Sequence, residues 1–157
     1  MIGDCSTMLN VTIQYLNNYN LAEWGPLRVA SKFSAGFDLR AAMEEDYILL
    51  TPGERYLVKT GIKTSFDAGY EAQVRARSGL ALKQGLGLAN GIGTIDADYR
   101  DEWGVILVNH GEAPLAIHRG DRIAQVVFNQ LPQVNIMEGI VSDNDNRGGG
   151  FGSSGVK

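Results

Sequence analysis

Apolar residues in this chain recur at every second position, in short runs closed off by turn residues, and no long run keeps the helical spacing. Val11, Ile13 and Tyr15 share one face of NVTIQY. In YEAQVRAR, Tyr70, Ala72, Val74 and Ala76 point away from Glu71, Gln73, Arg75 and Arg77. A period of two is that of a strand with one buried face. The same reading extends to YILL (47–50), RYLVKTGIKTSF (55–66), WGVILVN (103–109), APLAIH (113–118) and IAQVVFNQ (123–130). Pro52-Gly53, Asp67-Ala-Gly69 and His118-Arg-Gly-Asp121 supply the turns. The best helical piece is SGLALKQ (78–84), under two turns. Many short strands at regular spacing specify an all-β sandwich or barrel with one short helix.

Other properties narrow the function. At 157 residues the chain is one domain, long enough to bury a core alone. A net charge of −4 argues against binding a nucleic-acid backbone, which needs a basic face. No apolar run reaches the ~20 residues of a membrane span. Cys5 is the single cysteine, so no internal disulfide forms, and a reducing compartment is the default. The start, MIGDCST, resembles neither a signal nor a transit peptide, and Met8 is an alternative start that would make residues 1–7 a loose extension. The expectation is a soluble, cytoplasmic or otherwise intracellular protein. From Asp143 onward apolar residues run out, which divides the chain into a β-domain over 1–142 and a mobile arm over 143–157.

Five clusters do not read as core. In SAGFDLRAA (34–42), Asp38 lies between Phe37 and Leu39 and faces away from both. It is either a solvated strand or cap residue, or a carboxylate that reaches a magnesium ion through water. In RARSGLALKQG (75–85), Arg77-Ser78-Gly79 falls where strand turns into helix. That is a Ser N-cap with a solvated arginine, or an anion-binding turn. In NGIGTIDADYRDEWG (90–104), Asp96 and Asp98 share a face if extended, and Tyr99 follows. This suits a general base beside a flat binding surface, and it also suits an Asp-rich turn. His110 and His118 alone, without a partnered cysteine, make no zinc site. In GDRIAQVV (120–127), Gln125 shares a face with Ile123 and Val127, so it needs an internal partner or a ligand.

The last cluster is the ending, NRGGGFGSSGVK, with one phenylalanine among five glycines. Gly150-Phe-Gly152-Ser-Ser-Gly155 spells G-x-G-x-x-G, but that string holds a dinucleotide only where a helix follows, and two residues remain. A phosphate-seeking arm and plain disorder both stay open.

Taken in order, SAGFDL, ARSGLA, GTIDADYR, GDRIAQ and RGGGFGSSG closely resemble the five ordered motifs of the trimeric dUTPase family (dUTP diphosphatases), from Ser34 to Gly155. The resemblance implies an all-β, jelly-roll-like β-clip domain forming a homotrimer, with active sites shared between subunits. It implies a hydrolase that converts dUTP to dUMP and pyrophosphate, keeping uracil out of DNA and supplying dUMP for thymidylate synthesis. Asp96 matches the carboxylate that activates the water attacking the α-phosphorus. Asn90, with backbone groups around Thr94, Ile95 and Gly104, matches the uracil-reading positions. Tyr99 matches the ring that leaves no room for a 2′-hydroxyl. Arg77, Ser78, Gly79 and Gln125 match the phosphate-binding positions, and Asp38 matches a motif that holds Mg2+ indirectly. In the tail, Phe151 would stack on the base while Arg147, Gly152 and Ser153 would close over the phosphates. The arm's glycines would keep it mobile and let its backbone approach the anion.

Two positions depart from the family's pattern. Asp101 stands where glycine is common, and the Arg147–Phe151 spacing is one residue shorter. Two other functions compete. One is a dCTP deaminase, which shares the fold but needs a base aimed at cytosine C4. The other is a nucleotide-sensing trimer that binds a regulatory protein.

Overall fold

The computed structural model describes residues 8–146, 148 and 149. In chain order the elements are β1 (Val11–Tyr15), α1 (Leu21–Trp24), β2 (Phe37–Arg40), β3 (Tyr47–Leu50), β4 (Arg55–Lys59), β5 (Ile62–Phe66) and β6 (Tyr70–Arg75). They continue with α2 (Ser78–Gln84), β7 (Leu86–Leu88), β8 (Gly93–Asp96), β9 (Gly104–Asn109), β10 (Leu115–His118) and β11 (Arg122–Gln130). The strands pair antiparallel in four small sheets: β1-β5, β10-β3, β2-β11-β6-β8 and β4-β9-β7. This is the all-β architecture that the alternating runs specify, in the jelly-roll-like β-clip form that the family resemblance implies.

The strands are short, so side-chain packing holds them more than their ladders do. Leu39, Leu50, Ile62, Leu86, Trp103, Leu107 and Ile123 are buried in one cluster shared by all four sheets. Each such side chain contributes about 1.5–3 kcal/mol on burial. The alternation read in β6 holds: Ala72 and Val74 are fully covered, with Glu71, Gln73 and Arg75 on the other face.

Three features differ from the sequence reading. RYLVKTGIKTSF is two strands, because Gly61 adopts φ 69°, a left-handed conformation that turns β5 away from β4 and into pairing with β1. A side chain there would meet Cβ atoms of Ala42 and Tyr19, each at 2.9 Å. A second helix of one turn, α1, accompanies α2. Asn20 caps it: its Oδ1 accepts from the Glu23 amide at 3.2 Å, and its Nδ2 donates to Glu23 Oε2 at 2.8 Å. The Asn-x-x-Glu spacing was the readable sign. In β11 the pairing slips between Arg122 and Ala124, so Ile123 is an extra residue and side-chain alternation restarts after it. Ile123, Ala124 and Val126 are all buried, and Gln125 therefore shares its face with Val127 but not with Ile123.

After Gln130 the described chain carries no helix or strand. Val134, Ile136, Met137, Ile140 and Val141 lie there with at least 74% of their surface exposed. Among the described residues, no helix is long and apolar enough to cross a membrane.

Candidate functional site

The sheet β2-β11-β6-β8 has one face in the core and one outside, and most of the candidate residues on its strands stand on the outer face. At one edge, Asp38 on β2 lies across from Gln125 on β11, and Gln125 lies across from Arg75 on β6. β6 then runs directly into α2 through Ala76 and Arg77. This continuity brings the Arg77 guanidinium back over the sheet, where its Nε lies 3.0 Å from Asp38 Oδ1. Arg122 Nη1 lies 3.3 Å from the other oxygen, Asp38 Oδ2. Arg77 Nη1 also donates to the Arg122 carbonyl at 3.1 Å. One carboxylate thus sits between two guanidinium groups.

Gln125 Nε2 donates to the Ala76 carbonyl at 3.1 Å, the internal partner that a half-buried amide needs. Its Oε1 is 2.7 Å from where a Cβ on Gly36 would stand, so a side chain there would push this amide aside. Arg77, not Ser78, is the N-cap residue of α2, and no side chain caps the helix. Ser78 and Gly79 are exposed in the first turn. Asp38, Arg77, Ser78, Gly79, Arg122 and Gln125 line one cleft of about 570 Å3. The role of Arg122 was missed in the sequence, although a charge inside an apolar strand run marked it.

A second cleft, about 630 Å3, lies at the other edge of the same sheet. Here Thr94, Ile95 and Asp96 come from β8, an edge strand whose outer backbone groups have no strand partner among the described residues. Tyr99 and Gly104 line it from the following hairpin, with Asp101, Lys59 and Lys63 around them. β8 stops at Asp96, and Ala97 and Asp98 form a turn, so Asp96 faces the cleft and Asp98 does not line it. The Tyr99 amide donates to the Asp96 carbonyl at 3.1 Å, which folds the ring back toward the strand end. Asp101 and Glu102 bring two further carboxylates to this cleft, which the two lysines also line. Asn90 does not line the cleft. It sits in the preceding turn beside Gly93, whose Cβ would be 3.6 Å from Asn90 Nδ2.

Between the two clefts runs a polar ladder along β6. Arg75 Nη2 donates to Gln73 Oε1 at 2.6 Å, and Gln73 Nε2 donates to Glu71 Oε1 at 2.7 Å. Glu71 is the cross-strand partner of Asp96. From Asp38 to Asp96 the path crosses three strand spacings and runs four residues along β6, a separation of roughly 20 Å. Arg147, Phe151, Gly152 and Ser153, the candidate residues of the tail, lie outside the described residues.

A family model described as dUTPase matches residues 23–155. Deoxyuridine 5'-triphosphate nucleotidohydrolases are similar in sequence. That of Rhizobium rhizogenes is 51% identical over 128 residues, covering 80% of this chain and 82% of its own. That of Anaeromyxobacter sp. is 49% identical over 124 residues, covering 78% and 82%. Among solved structures, a Staphylococcus bacteriophage 80alpha dUTPase variant with dUpNHpp superposes with a TM-score of 0.77 at 25% identity, over 94% of this chain and 99% of that one. A dUTPase variant from phage phi11 of S. aureus, described for the coordination of a structural Mg(II) ion, shares the fold with a TM-score of 0.72 at 21% identity, over 85% and 99%. The fold places the molecule in the β-clip class of antiparallel domains. The chain belongs to the dUTPase family, the dUTP diphosphatases.

Proposed function

We propose that this chain hydrolyses dUTP to dUMP and pyrophosphate, at sites assembled from more than one copy of itself. The observation that carries the reading is the Asp96 cleft, where an exposed carboxylate, an aromatic ring and the free edge of β8 meet. Backbone groups of Thr94, Ile95 and Gly104 read the uracil edge, and Asn90, outside the cleft lining, would have to reach it from the turn before β8. The Tyr99 ring packs on the deoxyribose and occupies the space of a 2′-hydroxyl. Asp96 takes a proton from water as the water oxygen bonds to the α-phosphorus. The bond from that phosphorus to the bridging oxygen breaks in the same displacement, and pyrophosphate leaves with the electron pair.

Arg77, Ser78, Gly79 and Gln125 hold the phosphates. In one chain they stand roughly 20 Å or somewhat less from Asp96 by strand geometry, farther than a triphosphate reaches. A site with both halves therefore takes the Asp96 cleft from one copy and the Arg77 cleft from another. The exposed Val134, Ile136, Met137, Ile140 and Val141 support assembly, since a lone chain would leave that apolar surface in water. A homotrimer with three shared sites satisfies both observations. Arg147, Phe151, Gly152 and Ser153 complete the site as the arm closes over the nucleotide and excludes water. The domain over 1–142 and the arm over 143–157 then have separate tasks.

Mg2+ fits this site only through the substrate. Among the described residues no group of three His, Cys, Asp or Glu could cage an ion, and both Asp38 oxygens face guanidinium groups. The phosphate oxygens would coordinate the ion, with Asp38 reached through water, and the bound ion would neutralise phosphate charge. Asp38 meanwhile fixes the orientation of Arg77. Removing dUTP and supplying dUMP would keep uracil out of DNA and feed thymidylate synthesis. The test is pyrophosphate release across dUTP, dTTP, dCTP and UTP: release from dUTP alone supports the reading. Ammonia release from dCTP would replace it with deamination.

A further inference from the structure

Among the described residues, the hairpin that carries Tyr99 has no strand pairing between Asp96 and Gly104. Its return limb is held at two adjacent residues: the buried Trp103, whose amide donates to the Ile62 carbonyl at 3.0 Å and whose carbonyl accepts from the Thr60 amide and hydroxyl at 3.0 and 2.8 Å, and Glu102 just before it, the nearer of the two to Tyr99. The Glu102 side chain is 17% exposed, and it points away from the hairpin into a receptor made by two other loops. Oε1 accepts from Asn18 Nδ2 at 2.7 Å and from the Gly61 amide at 3.0 Å. Oε2 lies 3.6 Å from Lys59 Nζ. The receptor is itself fixed: Asn18 Nδ2 also donates to the Ala42 carbonyl at 2.6 Å. Gly61 is held at a left-handed backbone where Tyr19 and Ala42 leave no room for a side chain. On the other side of the residue, the Glu102 carbonyl accepts a long bond from the Tyr99 hydroxyl at 3.3 Å. Glu102 also lines the cleft that holds Asp96 and Tyr99, so its position is that of the cleft wall.

We infer that Glu102 is a positioning residue for sugar selection: its anchored carboxylate sets the place of the return limb and, through it, of the Tyr99 ring. This rests on the reading of Tyr99 as the group that rejects a 2′-hydroxyl. With Glu102 released, Trp103 keeps its place while the segment before it loosens, the ring moves outward, the space for a ribose opens, and UTP becomes a substrate. Asp96 sits on the paired strand β8 and keeps its place, so the loss falls on discrimination more than on the chemical step. The nearby acid Asp101 points into the cleft with no such receptor among the described residues, which separates the two neighbouring carboxylates in role.

The test compares kcat/KM for dUTP and UTP in the full-length enzyme and in Glu102→Ala, Glu102→Gln, Tyr99→Ala and the Glu102→Ala/Tyr99→Ala double variant. Tyr99→Ala should lower the dUTP:UTP ratio by roughly 10–200-fold, the range of a steric pocket. Glu102→Ala should lower it by about tenfold or more, and the double variant should lie no lower than Tyr99→Ala alone, because both act through one ring. Glu102→Gln keeps an acceptor for Asn18 and Gly61 and should recover most of the ratio. A wild-type ratio in Glu102→Ala, with Tyr99→Ala still impaired, overturns the role of Glu102. An unchanged ratio in Tyr99→Ala overturns instead the sugar reading on which it rests. Should Glu102→Ala fail to fold, Asn18→Ala removes one donor to the same carboxylate. A drop in the ratio with that variant supports the inference, and a wild-type ratio overturns it.

Discussion

Asp38 and Arg77 face each other across the outer surface of the sheet, Oδ1 to Nε at 3.0 Å, and both side chains are less than a third exposed. The contact uses Nε, and Nη1 donates to the Arg122 carbonyl, so the guanidinium is fixed in orientation before it meets a phosphate. Asp38→Asn should therefore lower kcat/KM for dUTP by about 10–100-fold, given ~1.5–3 kcal/mol for hydrogen bonds to charged groups. It should also raise the Mg2+ concentration needed for half-maximal rate. Steady-state rates across a magnesium series check both, and a variant within twofold of wild type would remove Asp38 from the site.

Asp96→Asn keeps the size of the side chain and loses the base. Single-turnover rates should fall by about 10²–10⁴-fold, while binding of a non-hydrolysable dUTP analogue stays near wild type. Because Asp96 is exposed at a strand edge, the variant should melt at the wild-type temperature.

Mixing two inactive chains tests whether sites are shared. Arg77→Ala breaks one half-site and Asp96→Asn the other. Co-refolded at equal amounts, they should regain activity at about a quarter of the sites, the fraction in which both intact halves meet across a closed cyclic interface. Sites built within single chains would stay dead in the mixture.

Removing residues 147–157 should leave melting temperature and the number of subunits unchanged and abolish turnover, since closure and water exclusion are lost. Phe151→Ala should cost analogue affinity by ~1–3 kcal/mol, the value of one base stack. Calorimetric titration measures it, and full activity in the truncated enzyme would make the arm dispensable.

Gly61→Ala strains a φ of 69° and drives a methyl group against Tyr19 and Ala42. Destabilisation of about 1–3 kcal/mol is expected, or roughly 2–4 °C in Tm for each kcal/mol. Differential scanning fluorimetry reads it directly.

The amino-acid pattern made some of this legible and hid the rest for identifiable reasons. Strands such as Tyr70–Arg75 alternate cleanly because one face is core and the other is polar. The helix over 78–84 ends at Gly85, whose left-handed φ of 70° stops it. β7 and β8 escaped because Leu-Gly-Leu and Gly-Thr-Ile-Asp are too short and glycine-rich to carry a period. The break at Gly61 escaped because one glycine in an apolar run does not announce its φ. Candidate site residues were readable as types at turns and strand ends. Their division between two clefts was not, because it depends on pairing across β11, β6 and β8. Arg122 and Glu102 were passed over for the same reason: their partners, Asp38, Asn18 and Gly61, are distant in sequence.

The extra residue in β11 makes inside and outside a matter of parity. Upstream of Ile123 the strand counts one way; from Ala124 on it counts the other, and Gln125 reaches Asp38 only on the second count. Deleting Ile123 would leave Arg122 opposite Arg40, Ala124 opposite Leu39 and Gln125 opposite Asp38, an unbroken ladder in which every later residue keeps its face. That change should cost stability, through one lost buried side chain, and spare the site's register. Adding a residue between Ala124 and Gln125 would instead drive Gln125 into the core and Val126 out to the phosphate cleft, with every chemical group of the site still encoded, and should abolish function. Substitution tables that score residue identity alone miss that difference: here the length of the strand beyond the extra residue is itself a site determinant.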